Sequence, residues 1–314
     1  MASSILHITN GDSTTQILNS LNFDGEIITW REMLCEGKTT IDVGSEFFWK
    51  TRFDFLKSSY KTNKKTFIDY TLKEYRNLCK QKQQDEIVLW FEYDLFCQIN
   101  MIAVISWLKR FRKGRKISLV CSGKIRKKKE FFTLNQLSQE ELFNHFNKRI
   151  ELSQDDIEYA DYIWQLYCSD SPLRLETVHE FNSASPFTYL EEAIKTHLKR
   201  FPSIKNGLNQ IENQLLNVAC THPFENQHEL INNMLKNQGN YGFSDLQYIK
   251  KLQNLKKLFS SFYPVKLSRK GIKVLENQLN FYSQIRSDFS YLGGSKKYSY
   301  LYVDNTKKLL KITS

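Results

Sequence analysis

The sequence predicts an α/β layer with a short, mainly parallel, Rossmann-like sheet, followed by a mainly helical, winged-helix-like region. Three observations carry this. Four runs in the first 121 residues are apolar at nearly every position, which is the pattern of strands buried on both faces. Helical periodicity fills the segments between them, as crossover connections require. Beyond about residue 130 the strand signals give way to capped helices.

"SILHI" (4–8) is the first strand and "STTQILNSL" the helix after it. "EIITW" (26–30) is the second strand. A long link with two helical patterns, "GSEFFWKTRFDFLKSSY" and "FIDYTLKEYRNLCKQKQ", leads to the third, "EIVLWF" (86–91). "CQINMIAVISWLKRF" is the crossover helix to the fourth, "KISLVC" (116–121). Ser138 with Glu141, Ser153 with Asp156, Thr188 with Glu191 and Asn209 with Glu212 have the spacing of capping boxes. Further helices are expected at 226–238 and 244–259. "PVKLS" reads as a short strand, Ser268 as the cap of "RKGIKVLEN", and "SYLYVDNTKKLLKI" as a hairpin turning near Asp304 to Lys308. The expected division is 1–130 and 131–314, with the boundary at 124–137, a second break at 182–187 and winged-helix character from about residue 209.

Composition narrows the function classes. With 41% apolar residues the chain can bury substantial cores. Its longest apolar run, "INMIAVISWL", is about half a membrane span, and the N-terminus lacks signal-peptide features, so a cytoplasmic protein with no membrane partner is expected. Six scattered cysteines without a Cys-x-x-Cys pair argue for reduced thiols and against structural zinc. The net charge of +11 is segregated. Residues 109–129 hold eleven Lys or Arg and no acid, and residues 244–314 carry a net +10. Such segregation suits a polyanion, DNA or RNA, while a solvated basic surface is the plain alternative.

Ligands of open parallel sheets bind beyond the carboxyl ends of the strands. The first strand delivers Asn10, Gly11, Asp12 and Ser13 to that edge, and the second Trp30, Arg31, Glu32, Cys35, Glu36 and Gly37. The third delivers Glu92, Tyr93 and Asp94, with Gln98 a turn later, and the fourth Ser122 and Gly123. Asp12, Arg31, Glu92 and Asp94 are the candidate catalytic residues. Asn10, Gly11, Ser13, Trp30, Glu36, Gly37 and Gln98 are the candidate ligand-binding ones. Each has a plainer role: Asp12, Ser13, Glu92 and Asp94 as helix caps, Arg31 and Glu32 as an ion pair, Cys35 as a small buried apolar residue, His7 as a packed strand residue. The glycine-rich dinucleotide fingerprint, the P-loop, Gly-x-Ser-x-Gly and His-Glu-x-x-His are absent. The acids could hold a divalent metal and hydrolyse a phosphoester, or backbone N–H groups at 11–13 could cradle a phosphorylated ligand.

In the second half, "VKLSRKGIKVLEN" is similar to the strand–helix step "LTxxGxxVL" of winged-helix regulators. Lys250, Lys251, Lys256, Lys257, Lys296 and Lys297 are the candidate nucleic-acid contacts, since phosphate binding needs little beyond such charges. A helical scaffold or a protein-interaction module is the alternative.

Taken together, "LHITNGDS", "ITWREMLCEGKT", "VLWFEYDLFCQINMI", "HLKRFPSIKNGLNQIENQLL", "LSRKGIKVLENQLNF" and "YLGGSKKYSYLYVD" resemble a bacterial family whose N-terminal part is known as domain of unknown function 1835. Two departures stand out: Lys38 follows "CEG" where the family has Pro, and "YLYVD" stands for a Trp-rich "WxWD". The resemblance implies an intracellular bacterial protein and no particular activity.

Overall fold

The apolar runs become strands in the expected order, and their pairing sets where a site can lie. The computed structural model describes residues 4–123, 131–180 and 185–312, with the backbone alone at 179 and 180. The first part runs β1 (Ile5–Asn10), α1 (Asp12–Ser20), β2 (Glu26–Trp30), β3 (Gly37–Lys38), α2 (Glu46–Tyr60), α3 (Lys64–Phe67), α4 (Lys73–Lys80), β4 (Glu86–Phe91), α5 (Leu95–Phe111) and β5 (Lys116–Cys121). A π-helical turn at 68–72 joins α3 to α4. Then come α6 (Gln139–Asn147), β6 (Ile150–Glu151), α7 (Gln154–Tyr167), α8 (Leu190–Leu198), α9 (Gln210–Thr221), α10 (Gln227–Lys236) and α11 (Asp245–Leu255). The chain ends with β7 (Phe259–Phe262), β8 (Val265–Leu267), α12 (Arg269–Leu275), α13 (Tyr282–Ile285), β9 (Tyr291–Gly293), β10 (Ser295–Lys296), β11 (Tyr300–Val303) and β12 (Lys308–Lys311). Half of the protein is helical.

The main sheet has the order β2-β1-β4-β5-β6, parallel except for β6. β4 is buried along its whole length, as its uninterrupted apolar sequence requires. β1 lies between β2 and β4, so the connections leave it in opposite directions and the sheet's switch point falls between β1 and β4.

The two halves are tied in three ways. β6, from beyond residue 131, is the fifth strand of the sheet. α7 lies on α5, where Asp161 accepts from Ser106 Oγ and Lys109 Nζ, each at 2.6 Å. β3 pairs in parallel with β9 near the C-terminus, Gly37 opposite Leu292 and Lys38 opposite Gly293. One apolar core runs from Leu6 to Leu309.

The capping boxes at Ser138, Ser153 and Asn209 form, with both reciprocal bonds. Ser268 caps α12 by accepting from Gly271 N–H. The fourth box does not form. α8 starts at Leu190, and Thr188 Oγ donates instead to Pro186 O at 3.4 Å in the preceding turn. α9, α10 and α11 are followed, after a 3-10 turn at Lys256–Leu258, by the β7–β8 hairpin and α12, while the expected terminal hairpin is β11–β12. The break expected at 182–187 and the boundary at 124–137 lie partly outside the described residues.

Candidate functional site

The strand-end residues fall into separate groups. Asp12 is the first residue of α1 and does not cap it. Gly11 holds the cap position, and Asp12 pairs across the surface with Arg31, whose Nε and Nη2 lie 2.9 and 2.7 Å from one carboxylate oxygen. Arg31 also donates to Tyr70 O, and Ser13 is exposed. This exposed pair contributes at most about 1 kcal/mol. Trp30 is buried and packs on Trp49. His7 is a core residue. Trp90 Nε1–H donates to its Nδ1, which leaves its Nε2–H to donate to Asp24 O.

A second group gathers at the switch point. Asp94 caps α5 by accepting from Cys97 N at 2.9 Å, the role its position suggested. Glu92 accepts from Leu134 N at 2.7 Å, Gln98 donates to Glu92 O, and Asn10 Nδ2 donates to the Cys97 thiol. A carboxylate oxygen of Glu92, one of Asp94 and the Cys97 sulfur lie within 4.8 Å of one another, so these three could hold a cation. The crevice above them is already filled. Leu95 N and Phe96 N, the first donors of α5, bond to Asn240 O and Tyr241 O of the loop before α11. Gly242 lies so close to Asp94 that a Cβ there would meet Oδ1 at 2.0 Å, and its φ of +66° suits glycine. The α5 terminus, where a parallel sheet usually takes an anion, is thus spent on this loop. Among the described residues no hydrogen bond or ion pair joins the Asp12–Arg31 pair to the Glu92–Asp94 group.

Burial, then the neighbouring Asp94, pushes the Glu92 carboxyl up to about 7, against the opposing bond from Leu134 N–H. A raised carboxyl favours the protonated folded form, so Glu92 subtracts stability as pH rises from the usual carboxylate range to about 7. Glu92→Gln is therefore expected to raise the Tm at pH 8 by about 3 °C or more and to change it little at pH 4. Thermal unfolding at both pH values checks this. An equal shift at the two would show that the carboxyl is not penalised. Manganese or zinc ions that raise the wild-type Tm at pH 8, but not that of the variant, would show that the group holds a metal.

"WREMLCEG" has a different destination. Arg52 on α2, fully buried, donates to Glu32 Oε2 at 2.9 Å and to Met33 O, Glu36 O and Lys38 O at 2.8 to 3.0 Å. Asn100 on α5 donates to Glu32 O and accepts from Leu34 N, while Tyr167 OH donates to Leu34 O. Arg200, just after α8, donates to Cys35 O and to the Glu36 carboxylate. Gly37 takes φ +71° under the Phe55 ring, which stands 2.1 Å from where a Cβ would be. Held this way, Glu36 leaves the strand-end edge and faces the C-terminal half.

There it forms the floor of a cleft of about 450 Å³ between α2, β3, α11 and the segment from β9 onward. Arg200 and Lys251 approach Glu36, Lys251 Nζ at 3.9 Å. Lys297 Nζ is 3.3 Å from Glu212 at the start of α9. Burial would raise the Glu36 carboxyl, but Lys251, Arg200 and Lys297 outweigh it and hold it below its usual value. Burial pushes the Lys251 ammonium down, and the neighbouring Arg200 and Lys297 add to this against the opposing pull of Glu36 and Glu212. Lys297, with Glu212 beside it, is instead held above its usual value despite burial. Three enclosed cations thus face two carboxylates, and Lys38 and Lys250 add charge at the rim against Asp54. The sequence reading had Glu36 and Gly37 as ligand-binding, but placed Lys251 and Lys297 on a nucleic-acid surface and missed Arg52, Arg200 and Glu212. Only Lys256, Lys257 and Lys296 of the six lysines are exposed.

The basic run is consumed in part. Lys109 pairs with Glu158 and Asp161, Arg110 with Asp42, and Lys116 with Glu151, while Arg112 and Arg115 donate to backbone carbonyls. Residues 124–129 lie outside the described residues.

No family model matches the chain, and no curated protein matches it. Among solved structures, the crystal structure of the DNA-binding, cleavage and re-ligation domain of Plasmodium falciparum topoisomerase II is similar over 81% of this chain and 42% of its own, at 13% identity and a TM-score of 0.44. A likeness this slight carries no functional argument. No helix among the described residues is long and apolar enough to cross a membrane.

Proposed function

We propose that the protein binds a small phosphorylated ligand in the cleft floored by Glu36, Arg200 and Lys251, and couples that binding to nucleic-acid contact by its winged-helix-like C-terminal region. The observation that carries this is Lys251: a buried ammonium that, among the described residues, pairs with Glu36 alone and shares that carboxylate with Arg200. A buried cation without its own counter-ion costs folding energy unless an anion completes the site. A cleft of this volume lies within the range of small-ligand sites. The exposed Lys256, Lys257 and Lys296 supply the backbone contacts to DNA or RNA. All six cysteines are free thiols, which fits the cytoplasm of the bacterial family that the sequence resembles.

Pyrophosphate is expected to raise the Tm of the wild type in proportion to the logarithm of its concentration above Kd. Lys251→Met should abolish that rise and fold as well as the wild type or better, because it removes a desolvated charge at similar volume. An undiminished pyrophosphate shift in the variant would sink the reading. Duplex DNA and RNA titrated at several salt concentrations test the coupling: affinity should fall steeply with salt and change when pyrophosphate is added.

A second reading, a metal-dependent phosphoester hydrolase, rests on the proximity of Glu92, Asp94 and Cys97. Metal-dependent release of p-nitrophenol from bis-p-nitrophenyl phosphate, lost in Asp94→Asn, would favour it over the first.

A further inference from the structure

The walls of the same cleft carry information that its charged floor does not. Phe47, on the first turn of α2, is 64% exposed, and Phe289, just before β9, is 92% exposed. Both line the cleft, together with Tyr291 and Tyr298. Scattered exposed aromatic rings need no explanation. Two of the most exposed phenylalanines on opposite parts of the chain, brought to one opening above three enclosed cations, do. Among the described residues, neither Phe289 nor Phe47 packs on another ring, whereas the neighbouring Phe55 meets Tyr60 edge-on and covers Gly37. The exposed rings therefore serve nothing in the fold that the ring contacts among the described residues record, and both border the opening of a cationic pocket.

A ligand matching this arrangement has a phosphate at one end and a planar, weakly polar group at the other. Phosphate oxygens take N–H groups and charge from Arg200, Lys251 and Lys297 at the floor, where burial strengthens each interaction. A nucleobase offers the planar face, and base–aromatic stacking is worth about 1–3 kcal/mol per base. We propose that the ligand of this cleft is a 5′-phosphorylated nucleoside, its phosphate on Arg200 and Lys251 and its base against Phe47 and Phe289. This rests on the phosphate-binding reading given above and adds the identity of the rest of the ligand. The same chemistry occurs in a free nucleotide and at the 5′ end of a strand, and the second source would place Lys256 and Lys257, on the turn following α11, near the continuing backbone.

Isothermal titration calorimetry on the whole protein separates the possibilities. The probes are ribose 5-phosphate, the four ribonucleoside 5′-monophosphates, and a thymidine tetranucleotide with either a 5′-phosphate or a 5′-hydroxyl. At least one nucleotide, or the 5′-phosphorylated tetranucleotide, should bind tenfold or more tightly than ribose 5-phosphate. The double substitution F47A/F289A should remove that advantage and leave ribose 5-phosphate unchanged. Its folding is protected, because both side chains are exposed. A mononucleotide as tight as the phosphorylated tetranucleotide identifies a free nucleotide; a preference for the tetranucleotide that depends on its 5′-phosphate identifies a strand end. If ribose 5-phosphate binds as tightly as every base-bearing probe, or F47A/F289A keeps the advantage, the nucleoside assignment is overturned while the phosphate site stands. If no phosphorylated probe binds, both are overturned.

Discussion

Arg52→Met is expected to lower stability by about 3–5 kcal/mol, the cost of stranding the partner of a buried ion pair. The side chain has no exposure, and its guanidinium serves four acceptors at once: the Glu32 carboxylate and the carbonyls of Met33, Glu36 and Lys38. Without it, Glu32 keeps, among the described residues, only the N–H of Met33 on Oε2, since its Oε1 has no partner there. The carbonyls of Met33, Glu36 and Lys38 lose a charged donor as well. Arg52→Lys should rescue little, because a single ammonium cannot span a fork of four acceptors. Arg52→Met with Glu32→Gln should recover part of the loss, since the stranded charge is gone. Urea unfolding of the three variants measures this. A loss below about 1 kcal/mol for Arg52→Met would mean that the 32–38 loop is held by Asn100 and Tyr167 instead. Phosphate binding should fall with it, because Arg52 fixes the backbone that carries Glu36.

Arg200→Gln should reduce affinity for pyrophosphate by about a hundredfold, as removal of a buried charge-assisted partner costs about 2–5 kcal/mol. It should also destabilise the protein, because Glu36 is left with Lys251 Nζ at 3.9 Å as its nearest cation. The effects separate in the double variant with Glu36→Gln. Removing the stranded carboxylate restores stability, but the floor has still lost its guanidinium, so binding stays weak. Recovery of binding in the double variant would show that Arg200 serves the fold alone. The pH dependence has a definite sign. A carboxyl held below its usual value adds stability at pH above that usual value, and this is lost as pH falls through the depressed one. Acid unfolding of Glu36→Gln should accordingly begin at lower pH, relative to its own stability at pH 7, than that of the wild type.

The parallel sheet was legible because burial on both faces writes uninterrupted apolar runs, and β4 is the clearest example. Helix starts at Ser138, Ser153 and Asn209 were legible because a cap is a contact between residues three apart. Thr188 shows the limit of that reasoning: the spacing is right, yet a turn at Pro186 takes the hydroxyl first. Asp12 shows another limit. Gly11, at φ +86°, can hold the cap position without a side-chain bond, and this frees the carboxylate for Arg31. The lysines on α11 and the turn after it illustrate the largest gap. Lys250, Lys251, Lys256 and Lys257 look equivalent in sequence, but packing of Tyr248, Leu252 and Leu255 turns Lys251 inward and leaves Lys256 and Lys257 in solvent.

By itself, then, the sequence determined the strands, the crossover helices, most of the caps and the segregation of charge. All of these depend on residues near one another in the chain. It also picked out "ITWREMLCEGKT", "HLKRFPSIKNGLNQIENQLL" and "YLGGSKKYSYLYVD" as separate segments. Only the tertiary structure decided that Glu36, Arg200, Glu212 and Lys297 from those three segments meet around one cleft, and that loop 240–242 fills the crevice where a parallel sheet would ordinarily bind. The physical reason is that a charge carries no record of its partner. Coulomb energy and desolvation depend on distance and burial, and these are set by β3 pairing with β9 and by Arg52 and Arg200 bending the 32–38 loop toward the C-terminal half.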